Sequence, residues 1–163
     1  MGILNIRENE DPVLRVVCKE VKEVTPRILE LIDDMFETMY DAEGVGLAAP
    51  QVGIRKRFCV IDVGTPEEPD PLLLINPVLL EEEGEQTGRE GCLSVPDKYA
   101  IVKRPEHIKI KAFDREMKEF TLEAYALKAR CILHEMDHLD GILYIDKAIG
   151  GVHDINEEPE EEE

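Results

Sequence analysis

The sequence predicts an α+β fold of mostly antiparallel strands, with one helix in the carboxy-terminal half around which the chain's motifs are arranged and a further helix near the amino terminus. Segments with the two-residue alternation of strands outnumber those with helical spacing, and the two kinds do not alternate along the chain, which disfavours a doubly wound parallel sheet. The clearest strand pair follows Glu106. There Ile108, Ile110 and Ala112 alternate with Lys109 and Lys111, the chain turns at Asp114, Arg115 and Glu116, and Phe120, Leu122 and Ala124 alternate with Glu119, Thr121 and Glu123. That is the pattern of an antiparallel hairpin.

In chain order, Met1 to Glu8 hold no basic segment followed by an apolar run, so no signal peptide is expected. The amino-terminal helix is expected from Thr25 to about Tyr40: Thr25 can cap it, Pro26 suits its first position, and Ile28, Ile32, Met35 and Met39 recur at helical spacing. The chain breaks at Asp41 to Gly44. Strands are expected from Arg57 to Val63 and from Leu72 to Asn76, separated by a turn-rich loop from Gly64 to Pro71. The central helix is expected to carry Cys131 to Asp140 and to stop at Gly141, a residue suited to the left-handed conformation that closes many helices.

A length of 163 residues, 43% of them hydrophobic, fits one catalytic domain over residues 1–149 with a single core. Residues 150–163 carry a run of carboxylates with little to bury, and a disordered acidic tail is expected there. The net charge of −18 argues against direct affinity for nucleic acid or an anionic membrane. No window offers the roughly 20 apolar residues that a membrane helix needs. Cys18, Cys59, Cys92 and Cys131 are scattered singly, which suits reduced thiols in a cytoplasmic protein.

The central helix contains His134-Glu135-Met136-Asp137-His138, an HExxH pattern. On a helix, residues four apart are neighbours on one face, so both imidazoles can reach one metal while Glu135 stands beside it as a base. A hydrolytic centre usually takes three protein ligands. The pattern that supplies a third histidine six residues after the second puts Tyr144 in that place, and the glutamates further on begin only at Glu157. Cys131 is separated from His138 by about 10.5 Å along a helix axis, too far to share an ion. His107 sits in a strand and His153 in the polar terminus. Cys92, in Glu90-Gly91-Cys92-Leu93-Ser94, remains.

Together with Gly44-Val45-Gly46-Leu47-Ala48-Ala49-Pro50-Gln51, these stretches resemble the peptide deformylases, whose motifs GxGxAAxQ, EGCxS and HExxH occur here in family order. The resemblance also takes in Asp11 to Arg15 and reaches about Asp146. It implies a hydrolase that removes the formyl group from the formyl-methionine of newly made proteins, with sheets wrapped about the metal-binding helix. It implies one divalent metal on Cys92, His134 and His138, ferrous iron in the cell, with zinc, nickel or cobalt accepted by the same donors. Water activated there would attack the formyl carbon, with Glu135 as base and then acid. The same resemblance implies oxyanion donors at the Gln51 side chain and the Leu93 backbone N–H. It places an extended N-formylmethionyl peptide against Gly44, Val45 and Gly46, and the methionine side chain against Val45, Leu127 and Cys131.

Two rival classes remain from the residues alone. Another HExxH peptidase would need the third ligand that is missing after His138. A structural metal module would need a second thiolate and would have no use for Glu135. Two departures from the family pattern are visible. Tyr99 stands where many bacterial members carry arginine, which puts side-chain preferences beyond methionine in question. The basic carboxy-terminal helix that implies ribosome docking is missing, so a monomer acting on nascent chains without that docking element is expected.

Overall fold

The computed structural model describes residues 2–155. Helix α1 (Pro26–Asp41) starts as expected: Thr25 accepts a hydrogen bond from the Ile28 N–H at 3.2 Å, and Pro26 fills the first turn, where no amide donor is needed. Five strands form one antiparallel sheet. They are β1 (Gly46–Ala48), β2 (Phe58–Asp62), β3 (Pro71–Glu83), β6 (His107–Phe113) and β7 (Glu119–Tyr125), ordered β1-β2-β3-β6-β7. The second sheet has β4 (Gln86–Cys92), β5 (Val95–Arg104) and β8 (Ile149–Asp154), ordered β4-β5-β8.

Strand β2 explains the layering. All five of its residues are buried, because its two faces are covered by different helices. Phe58 and Val60 pack with Ile32, Met35 and Met39 of α1. Cys59 and Ile61 pack with Ala129, Ile132 and Leu133 of α2 (Ala126–Leu139). The helix α2 thus lies under the large sheet, and its other side meets the second sheet through Arg130 and His134, which contact Glu90 on β4. This is the α+β architecture that the patterning implied, with the sheets around a central helix as the family resemblance implied. Gly141 ends the helix region at φ 75°, and a Cβ there would collide with the Arg15 backbone, so conformation and space both require glycine.

Three of the differences from expectation bear on the second sheet and its neighbours. Strand β3 runs on to Glu83 because its exposed acidic half faces basic partners on β6, with Glu81 opposite Lys109 and Glu83 opposite His107. Strand β4 carries glycine at 88 and 91 among polar residues and so has no apolar alternation to reveal it. The third concerns the tail expected from residue 150. Residues 150–154 are not disordered but belong to β8, where Lys98 pairs with Asp154, Tyr99 with His153 and Ala100 with Val152. The free edge of β5 satisfies their backbone groups, which offsets the shortage of apolar side chains. The rest of the acidic stretch, from residue 156, lies outside the described residues. Among the described residues, no helix is long and apolar enough to cross a membrane.

Candidate active site

Helix α2 and the end of β4 bring Cys92, His134 and His138 together: their ligand atoms all lie within 4.8 Å of one another. Cys92 Sγ stands 3.2 Å from His138 Nε2, and the two imidazole centroids are 5.1 Å apart. His134 Nδ1 donates to Glu90 Oε1 at 3.0 Å, which fixes its tautomer and leaves Nε2 as its available donor to an ion. The donor set suits a divalent transition metal, one soft thiolate and two imidazoles. Buried atoms around it have spare capacity, since Glu135 Oε1 and His138 Nδ1 have no hydrogen-bond partner among the described residues. Cys131 lies outside this group, and burial pushes its thiol up to about 12, keeping it neutral.

Glu135 is buried, and its removal from water pushes its carboxyl up to about 7, as a proton acceptor working near neutrality requires. Gly46 on β1 faces it so closely that a Cβ at that position would overlap the carboxylate. Gln51 is almost fully buried in the turn after β1. Its Oε1 accepts from the Ala48 N–H at 2.9 Å, so its amide nitrogen must turn the other way, reaching Ser94 Oγ at 3.0 Å and Cys92 Sγ at 3.5 Å.

The cleft above these groups has a volume of about 710 Å³. Its walls are two sheet edges, because β1 is the outer strand of one sheet and β4 of the other. Gly44, Val45 and Gly46 line it from one side, Gly91, Cys92 and Leu93 from the other, and Leu127 and Cys131 from α2. Val45 and Leu127 are exposed to it, apolar side chains left without a cover. His107 and His153 lie elsewhere, stacked on Tyr125 and beside Tyr99 respectively.

Sequence reasoning missed the group that holds this constellation in place. Glu90, buried, accepts from Arg104 Nε and Nη2 at 2.7 and 2.8 Å, from Arg130 Nη1 at 2.6 Å and from His134. Burial alone would raise its pKa, but the Arg104 and His134 bonds outweigh that and hold the carboxyl well below the ordinary range. Arg104 also donates to Asp137 Oδ2 at 2.8 Å, tying the second sheet to α2. The signal was present. Glu90 belongs to the same short motif as Cys92, two residues before it, although the strand register shifts between them and alternation alone does not fix its direction.

Comparison with known proteins decides the family. The sequence model described as Polypeptide deformylase matches residues 3–152. The chain belongs to the polypeptide deformylase family. A peptide deformylase of Agathobacter rectalis is 55% identical over 99% of this chain and 100% of its own length. The crystal structure of peptide deformylase from Thermotoga maritima superposes with TM-score 0.86 at 40% identity, covering 90% of this chain and 98% of that one. A class I type b peptide deformylase from Acinetobacter baumannii, solved with Met-Ala-Ser bound, gives TM-score 0.84 at 32% identity, covering 89% of this chain and 98% of that one. Membership makes the chain a hydrolase, and the polypeptide deformylase fold is the one described above.

Proposed function

We propose that this enzyme removes the formyl group from N-formylmethionyl chains as they are made, using one divalent metal ion held by Cys92, His134 and His138. The observation that carries this reading is the convergence of those three donors within 4.8 Å beside the buried carboxylate of Glu135. A divalent ion there supplies Lewis acidity, polarising the formyl carbonyl and lowering the pKa of water. Glu135 takes a proton from the water that adds to the formyl carbon. It returns that proton to the amine as the C–N bond breaks, releasing formate and a free amino terminus. The oxyanion formed on addition receives hydrogen bonds from the Gln51 amide, already aimed at the Cys92 side of the cleft, and from the Leu93 backbone N–H.

The substrate backbone lies extended between the β1 and β4 edges, pairing with Gly44, Val45 and Gly46 as an added strand, with the methionine side chain over Val45, Leu127 and Cys131. The Met-Ala-Ser peptide in the Acinetobacter baumannii structure has the length and chemistry that such a cleft takes. Substrates of this kind place the enzyme in the cytoplasm, where one folded unit that includes β8 acts as a monomer.

The rival readings lack support. A structural metal module leaves no role for a base pushed up to about 7, and an internal-peptide protease would not depend on the formyl group. Release of formate from formyl-Met-Ala-Ser by protein purified without air, with metal content measured on the same sample, tests the proposal. Turnover in proportion to a single divalent ion supports it. Cleavage of an internal bond with the formyl group left intact contradicts it.

A further inference from the structure

Three cations line the cleft, and two of them hold carboxylates of the chain itself: Arg130 binds Glu90, and Lys98 binds Asp154. Arg89 has no carboxylate partner among the described residues. Its position is nevertheless defined. Its Cζ stands 3.8 Å over the centre of the Tyr99 ring, and Tyr99 lies against His153, its cross-strand partner on β8, with ring centroids 5.2 Å apart. A guanidinium laid on a ring spends its face and keeps its in-plane N–H donors, the fork that fits a carboxylate.

Arg89 precedes Cys92 by three positions on β4 (Gln86–Cys92). The strand register shifts between Glu90 and Cys92, so at 3.3 Å per strand residue that separation is at most about 10 Å. An extended peptide with its formyl carbon beside Cys92 covers the same distance within its first three residues. We propose that Arg89, held on Tyr99, is a specificity-determining residue that receives a carboxylate at the second or third residue of the substrate. This rests on the deformylation reading above. The carboxylate belongs to an Asp or Glu side chain in a long chain, and in a tripeptide the terminal carboxylate offers the same chemistry. The overall charge of −18 repels acidic peptides at long range, so Arg89 is a local exception to the field of the protein.

The test compares kcat/KM for the amides formyl-Met-Xaa-Ala-NH2 and formyl-Met-Ala-Xaa-NH2, with Xaa either Glu or Gln, in metal-loaded wild type, Arg89→Gln and Arg89→Glu. Formyl-Met-Ala-Ala as free acid and as amide isolates the terminal carboxylate. A partly exposed charge-assisted contact leads us to expect a Glu:Gln ratio of about fivefold at one position in wild type, carried by KM. The ratio should fall to about one in Arg89→Gln and invert in Arg89→Glu. Because each ratio is internal to one enzyme, loss of protein or metal in a variant does not disturb it. Ratios near one throughout wild type, for the free acid as well, overturn the proposal, as does a preference that survives Arg89→Glu. A preference for the free acid alone assigns Arg89 to the terminal carboxylate. Metal-loaded wild type that turns over none of these peptides refutes the deformylation reading, and this inference falls with it.

Discussion

His134 and Glu90 are joined by a hydrogen bond of 3.0 Å that links the HExxH face of α2 to β4, two residues before Cys92 on the same strand. One carboxylate therefore orients an imidazole of the candidate metal site while its own strand brings Cys92 to it. Replacement of Glu90 by Gln removes the charge that Arg104 and Arg130 compensate and allows the imidazole to turn. Metal affinity is expected to fall about 10- to 100-fold, the range for loss of an outer partner of a metal-bound histidine. Leaving two buried guanidiniums without their carboxylate should also destabilise the fold by about 3–5 kcal/mol. Competition with a chelator gives the first quantity and thermal unfolding of the apo protein the second.

Glycine at 46 is required by Glu135. The Gly46→Ala methyl group would occupy space held by the Glu135 carboxylate, which is buried and cannot swing into solvent. Displacing a catalytic group by about 1 Å can cost ~10²-fold in rate. A kcat loss of that order is expected with metal content retained. Activity unchanged in Gly46→Ala would show that the carboxylate adopts another position during turnover.

The two sulfurs near α2 should behave differently. In Cys92→Ser a neutral hydroxyl replaces a thiolate donor, and metal binding should weaken strongly. Cys131→Ser should retain the metal, because that thiol is neutral and stands outside the converging group. Metal analysis of both variants after dialysis decides this, and equal losses would mean that the wrong sulfur had been assigned.

Strand β8 makes a stability prediction. Truncation after Gly151 removes Val152, His153 and Asp154 from the edge of β5, together with the ring contact on Tyr99. Lost ladder hydrogen bonds and one aromatic pair sum to about 2 kcal/mol. For a domain of this size that is a fall in Tm of roughly 4–8 °C. Truncation after Ile155 removes charges screened over about 8 Å at physiological salt and should leave turnover within about threefold. A Tm that is the same for both truncations would contradict the pairing of β8.

The parts of this molecule that were legible in the sequence are those with a strong local signal. Helix α1 announced itself through Thr25, Pro26 and its apolar stripe, the β6–β7 hairpin through strict alternation, and the candidate cluster of Cys92, His134 and His138 through HExxH with Cys92 in a glycine-flanked motif. Strands β4 and β8 were not legible, because they pair along β5 without an apolar alternation of their own. The Glu90–Arg104–Arg130–Asp137 network was invisible for a related reason. Its members come from the β4–β5 hairpin and from α2, well separated from it in sequence, and charged residues usually mark solvent. Only the packing of α2 between the two sheets makes them buried partners.

The central claim is that Glu135 carries the proton in hydrolysis of the formyl group while Cys92, His134 and His138 hold the metal. It is tested most directly by Glu135→Gln, an amide of the same shape that cannot accept the proton. Metal content and formate release from formyl-Met-Ala-Ser are measured on one preparation of this variant. A full complement of divalent ion with turnover reduced at least ~10²-fold, the lower bound for loss of a general base, is the expected result. A metal-loaded Glu135→Gln enzyme with undiminished formate release would contradict it.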